Sequence, residues 1–155
     1  MAEVENVTGL RELEAALKSL PDRIARNVLR GAVAAGAAVV RKEARDLAPK
    51  SEGPQPEGHV PGTLKRAIYQ KQIRERSSLL QQTFFVGVRR GRSAKSSVKG
   101  VIDAWYAHFV EFGTSKMAAR PFMRPAFESR KAGAVEAIKS YLLSRIPKEV
   151  EKLRP

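Results

Sequence analysis

The chain holds 155 residues, 43% hydrophobic and 29% charged, which suits one soluble globular domain spanning 1–155 rather than a disordered or fibrous chain. It has no cysteine, which excludes a disulfide framework, a thiolate zinc site and a cysteine nucleophile. The net charge is +13, and the excess is central: residues 51–100 carry 10 basic and 3 acidic side chains, against 9 and 7 in residues 1–50. Such a segment seeks a polyanion or forms a solvated basic face.

Met1 to Leu10 carries Glu3 and Glu5 and no apolar core, so it does not read as a signal peptide. Thr8 can cap a short helix in which Leu10, Leu13, Leu17 and Leu20 form one apolar stripe. Pro21 breaks it and can sit in the first turn of the next. That helix is predicted over Asp22 to Leu47. Ile24, Val28, Ala35 and Ala38 line one side, and Leu29, Val33, Val40, Ala44 and Leu47 an adjacent one. Its centre, Gly31 to Val40, holds small residues that let another element approach closely. That stretch is about half the roughly 20 residues of a membrane span, so no membrane segment is read. The Gly31/Gly36 spacing lacks the Lys-Ser/Thr of a phosphate loop.

Ala48 to Gly62 holds four prolines and three glycines and reads as a long exposed loop. Thr63 can cap a helical turn over Leu64 to Ala67, after which Ile68 to Arg74 alternates like a strand. A clearer strand covers Gln82 to Arg90, with Phe84, Val86 and Val88 on one face and Phe85 on the other. Gly91 to Gly100 reads as a flexible basic hairpin tip. Val101 to Phe112 is expected to return to the sheet, with room for a helical turn around Trp105 to His108. A last helix is expected from Pro125 or Ala126 to about Leu143, burying Phe127, Ala134, Ile138, Tyr141 and Leu142. Pro147 should end or kink it, leaving a tail over 147–155. The order of elements predicts an α+β domain, with a long N-terminal helix and a C-terminal helix packed on a small antiparallel β-sheet.

Candidate chemistry is sparse. His59 lies in the proline-rich loop. His108 precedes Glu111 by three residues, which on a helix would share a face, but a metal site needs further ligands. No Gly-x-Ser-x-Gly elbow is present, and carboxylates are too scattered for an acid–base pair. The reading is therefore of no catalytic residue, no metal and no cofactor, and of a protein that is not an enzyme. Phe109, Val110 and Phe112 are taken as core. Gly113 is expected to turn the chain at positive φ, and Glu111 to pair with Arg120 or Arg124.

Residues 106–127 contain Tyr106-Ala107, then Val110-Glu111-Phe112-Gly113-Thr114, then Arg120-Pro121-Phe122-Met123-Arg124-Pro125-Ala126. This closely resembles the gene-product-ten-like family of tail components from long-tailed phages such as HK97, a group that also looks like the minor tail protein Z type. Ala48-Pro49, Gly62 to Ile68 and the Val86-Gly87-Val88 strand fit the family more loosely. The resemblance implies a bacteriophage virion structural protein, a tail completion or head–tail connector subunit of the neck. It implies a ring, expected as a hexamer, with connector, stopper, tail terminator or tail tube proteins as neighbours. DNA would pass through the channel, and assembly would take place in the host cytoplasm. Tyr106, Val110, Glu111, Phe112, Gly113, Thr114, Arg120, Pro121, Phe122, Arg124 and Pro125 would then serve the fold or subunit contacts. Arg89, Arg90, Arg92, Lys95 and Lys99 would meet DNA, a partner, or only water. The competing reading is a basic nucleic-acid-binding module, but no recognition-helix motif or interleaved aromatic platform accompanies the charge.

Overall fold

The computed structural model describes residues 10–18, 20–50, 61–89 and 104–153. Its elements in chain order are α1 (Leu10–Lys18), α2 (Asp22–Leu47), α3 (Thr63–Ala67), β1 (Ile68–Gln72), β2 (Phe84–Val88), α4 (Ala107–Phe112) and α5 (Met123–Leu153). A 3₁₀ turn, Arg74–Arg76, sits between the strands. Among the described residues no helix is long and apolar enough to cross a membrane.

Pro21 starts α2 as expected: its fixed φ of −52° suits a helix entry, and its carbonyl accepts from the Ile24 and Ala25 amides at 2.8 and 3.0 Å. The buried face of α2 is Ala25, Val28, Ala32, Gly36, Val40 and Ala44. It runs between the two predicted stripes, and Leu47 is exposed instead. This face packs on α5. A β-carbon added at Gly36 would lie 2.8 Å from Ile138 Cδ1 and 2.9 Å from the Ala134 carbonyl oxygen, and one at Gly31 would collide with the Tyr141 ring. The small centre of α2 is thus where α5 crosses.

A second side of α2 carries the sheet. β1 and β2 pair antiparallel, Ile68 opposite Val88 and Gln72 opposite Phe84. Gln70 Nε2 donates to the Ala34 carbonyl at 3.2 Å, and Arg45 donates through Nε and Nη2 to the Ile68 carbonyl at 3.1 and 2.7 Å. The face of Ile68, Gln70, Phe84, Val86 and Val88 therefore looks at α2. Tyr69, Lys71 and Phe85 occupy the opposite face, as period-two alternation requires. Two cores result. One joins Ala44, Leu64, Ala67, Ile68, Ala107, Phe122 and Ala126; the other joins Leu17, Leu20, Val28, Leu142 and Ile146.

Three expectations are corrected. Residues 107–112 form α4 rather than a returning strand. A strand would place Ala107, Phe109 and Glu111 on one face, whereas the helix turns Ala107 and Val110 to the core and leaves Phe109 and Phe112 exposed. Phe109 and Phe112 are therefore not core residues. The last helix begins at Met123 and continues through Pro147 to Leu153. Proline removes one helical amide, but Pro147 and Leu143, four residues earlier, whose carbonyl would accept from that amide, both lie on the exposed side. Finally, Phe127 is exposed, and Ala126, Leu142 and Ile146 are the buried residues of α5.

Gly36→Ala should lower unfolding stability by about 1–3 kcal/mol, because overpacking at the crossing outweighs the better helix propensity of alanine. Gly133→Ala, whose β-carbon meets nothing nearer than Val39 Cγ1 at 3.8 Å, should gain up to about 1 kcal/mol from that same propensity. Urea unfolding of the two variants checks the sign of each.

Candidate functional site

The segment from Tyr106 to Pro125 is built around one carboxylate. Glu111 lies on α4, one turn beyond Ala107, on the side facing the start of α5. Its Oε2 accepts from the amides of Phe122 and Met123 at 2.7 and 3.0 Å, and its Oε1 accepts from the amide of Arg124 at 3.2 Å. A helix begins with amides that have no partner inside it, and its positive dipole end favours an anion. Here the accounting is complete. The first three donors go to Glu111, Pro125 has no amide hydrogen, and the Ala126 amide reaches the Phe122 carbonyl at 3.2 Å. The predicted ion pair of Glu111 with Arg120 or Arg124 is corrected: the carboxylate takes backbone amides, including that of Arg124, and neither guanidinium.

Gly113 closes α4 and makes this geometry reachable. Its φ of 78° with ψ of −178° lies in a region kept for glycine. A β-carbon there would sit 2.8 Å from the Ala119 nitrogen and 2.9 Å from the Met117 carbonyl oxygen. The chain then makes a tight turn in which the Thr114 amide donates to the Met117 carbonyl at 2.8 Å and Thr114 Oγ1 accepts from the Lys116 amide at 3.2 Å. It returns so that the Arg120 amide meets the Val110 carbonyl at 2.8 Å. Phe122 follows, 1% exposed, and anchors the turn in the core. Val110 and Tyr106 pack against the same core, while Arg120, Pro121 and Arg124 point outward.

What this unit presents is apolar. Phe112 is 74% exposed and Trp105 60%, with the Trp105 ring edge-on to Phe109 at 5.9 Å. Between α4 and β2 lies a groove of about 700 Å³, lined by Tyr69, Phe85, Val86, Val88, Phe112 and Met123 among others. Phe85 lies against Gly87, where a β-carbon would collide with its ring, and meets Tyr69 edge-on at 6.2 Å. The sequence reading did not single out Tyr69, Lys71 or Phe85 as site residues. The signal available was Phe85 itself, a large aromatic on the polar side of an alternating strand.

Of the basic candidates, Arg89 is exposed with its guanidinium 5.5 Å from the centre of the Tyr69 ring. Arg90, Arg92, Lys95 and Lys99 lie outside the described residues, as does His59. His108 Nδ1 is 3.1 Å from the Trp105 carbonyl oxygen, and no group of three potential metal ligands gathers among the described residues.

Glu111→Ala should orphan three amides at the start of α5 and cost about 1–3 kcal/mol, whereas Glu128→Ala, which loses one exposed ion pair with Lys131, should cost under about 1 kcal/mol. Urea unfolding of the two variants tests whether the carboxylate is the anchor.

The comparison with protein families adds an independent result. A family model described as the bacteriophage HK97-gp10 tail component matches residues 11–113, from α1 to the glycine that closes α4. No curated protein and no solved structure matches the chain. The match spans well over half of the sequence, and its last residues coincide with the first part of the Tyr106–Pro125 unit. The chain belongs to the HK97-gp10-like family of bacteriophage tail components.

Proposed function

We propose that this tail component is a tail completion or head–tail connector subunit of the neck, and that it acts as one member of a closed ring. It works by binding rather than by catalysis. The observation that carries the reading is the rigid presentation of Phe112 and Trp105 beside an open groove: large apolar side chains held on a surface by a fully bonded turn are suited to contact with neighbouring proteins. In a tail the neighbours are arranged about an axis, and repeated head-to-tail contacts about an axis close into a ring. Its other neighbours would be the connector, stopper, tail terminator or tail tube. The excess positive charge, including the Arg89 to Lys99 segment, suits DNA passing through the ring's channel.

Two outcomes test this. Negative-stain images of purified virions labelled with an antibody to the chain should place a ring at the neck or tail, and absence of the chain from purified virions would overturn the proposal. Replacing Arg89, Arg90, Arg92, Lys95 and Lys99 together by glutamine should leave thermal unfolding of the isolated chain nearly unchanged, since lysine and arginine contribute little to stability where they are solvated. The same replacement in the phage should lower the yield of infectious particles. Normal plating of that phage would show that the segment touches neither DNA nor a partner.

A further inference from the structure

The groove between α4 and the sheet has a defined chemical character. Its floor is β2, where Phe85, Val86, Gly87 and Val88 all line it, with Tyr69 of β1 set edge-on to Phe85. Its wall is Phe112 on α4 with Met123 at the start of α5. Phe85 is 47% exposed. Both the floor and the wall are held: Gly87 seats the Phe85 ring, and the Glu111 carboxylate fixes α4 on α5. A pre-organised aromatic surface of this kind loses little conformational entropy when a partner arrives.

One cation lines the groove and two more stand next to its lining residues. Lys71 stands opposite Phe85 in the pairing register, Arg89 lies over Tyr69, and Arg124 projects from the wall. None of the three has an ion pair with a described acid. Among the described residues the one carboxylate lining the groove is Glu111, and its oxygens are occupied by three backbone amides. A fitting occupant therefore combines a large apolar side chain for the floor with carboxylates for the rim.

A second copy of this chain fits poorly. Each copy carries +13. Of its described acids, Glu14, Glu43, Asp46, Glu128, Glu136 and Glu149 are already matched to lysines and arginines within the chain, which leaves Glu12, Asp22, Glu75 and Glu151 outside such pairs against that surplus. We infer that the groove lined by Tyr69, Phe85 and Phe112 docks an acidic segment of a different tail protein, anchored by one aromatic or large aliphatic side chain. Complementary charge at the rim speeds encounter and sets register, while the buried anchor supplies most of the affinity. The inference rests on the chain working among other tail proteins; it does not require ring closure.

The test uses the purified full chain and an array of short overlapping peptides tiled through the other virion proteins of the same phage. The strongest binder is then titrated as a fluorescein-labelled peptide. Acid-rich peptides bearing Phe, Trp, Leu or Ile should bind. Phe112→Ser on the groove's wall and Lys71→Glu beside Phe85, two exposed changes, should each weaken that peptide roughly tenfold or more while leaving thermal unfolding in place. Binding should also fall with added salt for the wild type and less so for Lys71→Glu. No bound peptide, or peptides bound equally by both variants, would overturn the inference. So would loss of self-association in Phe112→Ser by sedimentation velocity without any peptide effect, which assigns the groove to a second copy. A labelled DNA duplex that binds wild type and Phe112→Ser alike but not Lys71→Glu would assign the rim to nucleic acid instead. Ring images from virions report on ring closure separately, so a negative result there leaves this outcome readable.

Discussion

Where α5 crosses α2, a β-carbon at residue 36 would stand 2.9 Å from the Ala134 carbonyl oxygen, closer than packed atoms tolerate. Glycine and alanine at the centre of α2 are therefore a condition for the two longest helices to lie together. The sheet depends on the same helix, because its inner face rests on the neighbouring side of α2 through Ala34 and Arg45. A two-stranded sheet alone is marginal in water and needs such a support. α1 depends on the pair as well, with Leu17 and Leu20 set among Val28, Leu142 and Ile146. The crossing thus organises both cores while contributing few large side chains itself.

The start of α5 is governed by a second constraint, which works through the backbone. A helix of 31 residues must begin where its first amides find acceptors, and α4 brings one carboxylate to that place. This fixes the angle between α4 and α5, and so the width of the groove beside them. The motif's residues divide accordingly. Glu111, Gly113, Phe122 and Pro125 set the geometry, whereas Phe112, Arg120, Pro121 and Arg124 are what the geometry displays. A sequence motif that mixes the two kinds reads as a unit, but each part answers to a different physical demand.

Much of this was legible in the residue pattern. The bounds of α2 followed from Pro21 and the apolar periodicity, and the strand face of Phe84, Val86 and Val88 from alternation. The positive φ of Gly113 followed from its place after an apolar run. The illegible parts have a common cause. Ala107 to Phe112 is a short run in which helix and strand periods bury different residues, and only the surrounding core decides which period holds. Glu111 was expected to seek an arginine because charge is visible in a sequence, while backbone amides eleven to thirteen residues onward are not. Pro147 reads as ending or kinking the helix, yet α5 continues through it, because the lost bond falls on the exposed side, where water can serve the freed carbonyl.

The distribution of large side chains points to what the fold is for. Among the described residues only Phe122 and Ile68 are large and fully buried, and alanines fill much of both cores. Trp105, Phe109, Phe112, Phe85 and Phe127 are all exposed. Fully burying such a side chain is worth roughly 1.5–3 kcal/mol, so five that are each about half in water forgo a stabilisation that is a sizeable share of the margin of a small domain. That stabilisation becomes available when a partner covers the surface, because anything that binds the folded state alone adds to its stability. In the proposed reading of a subunit among other tail proteins, backbone satisfaction and small-residue packing hold the free chain, and a partner covering these aromatics would add to its stability.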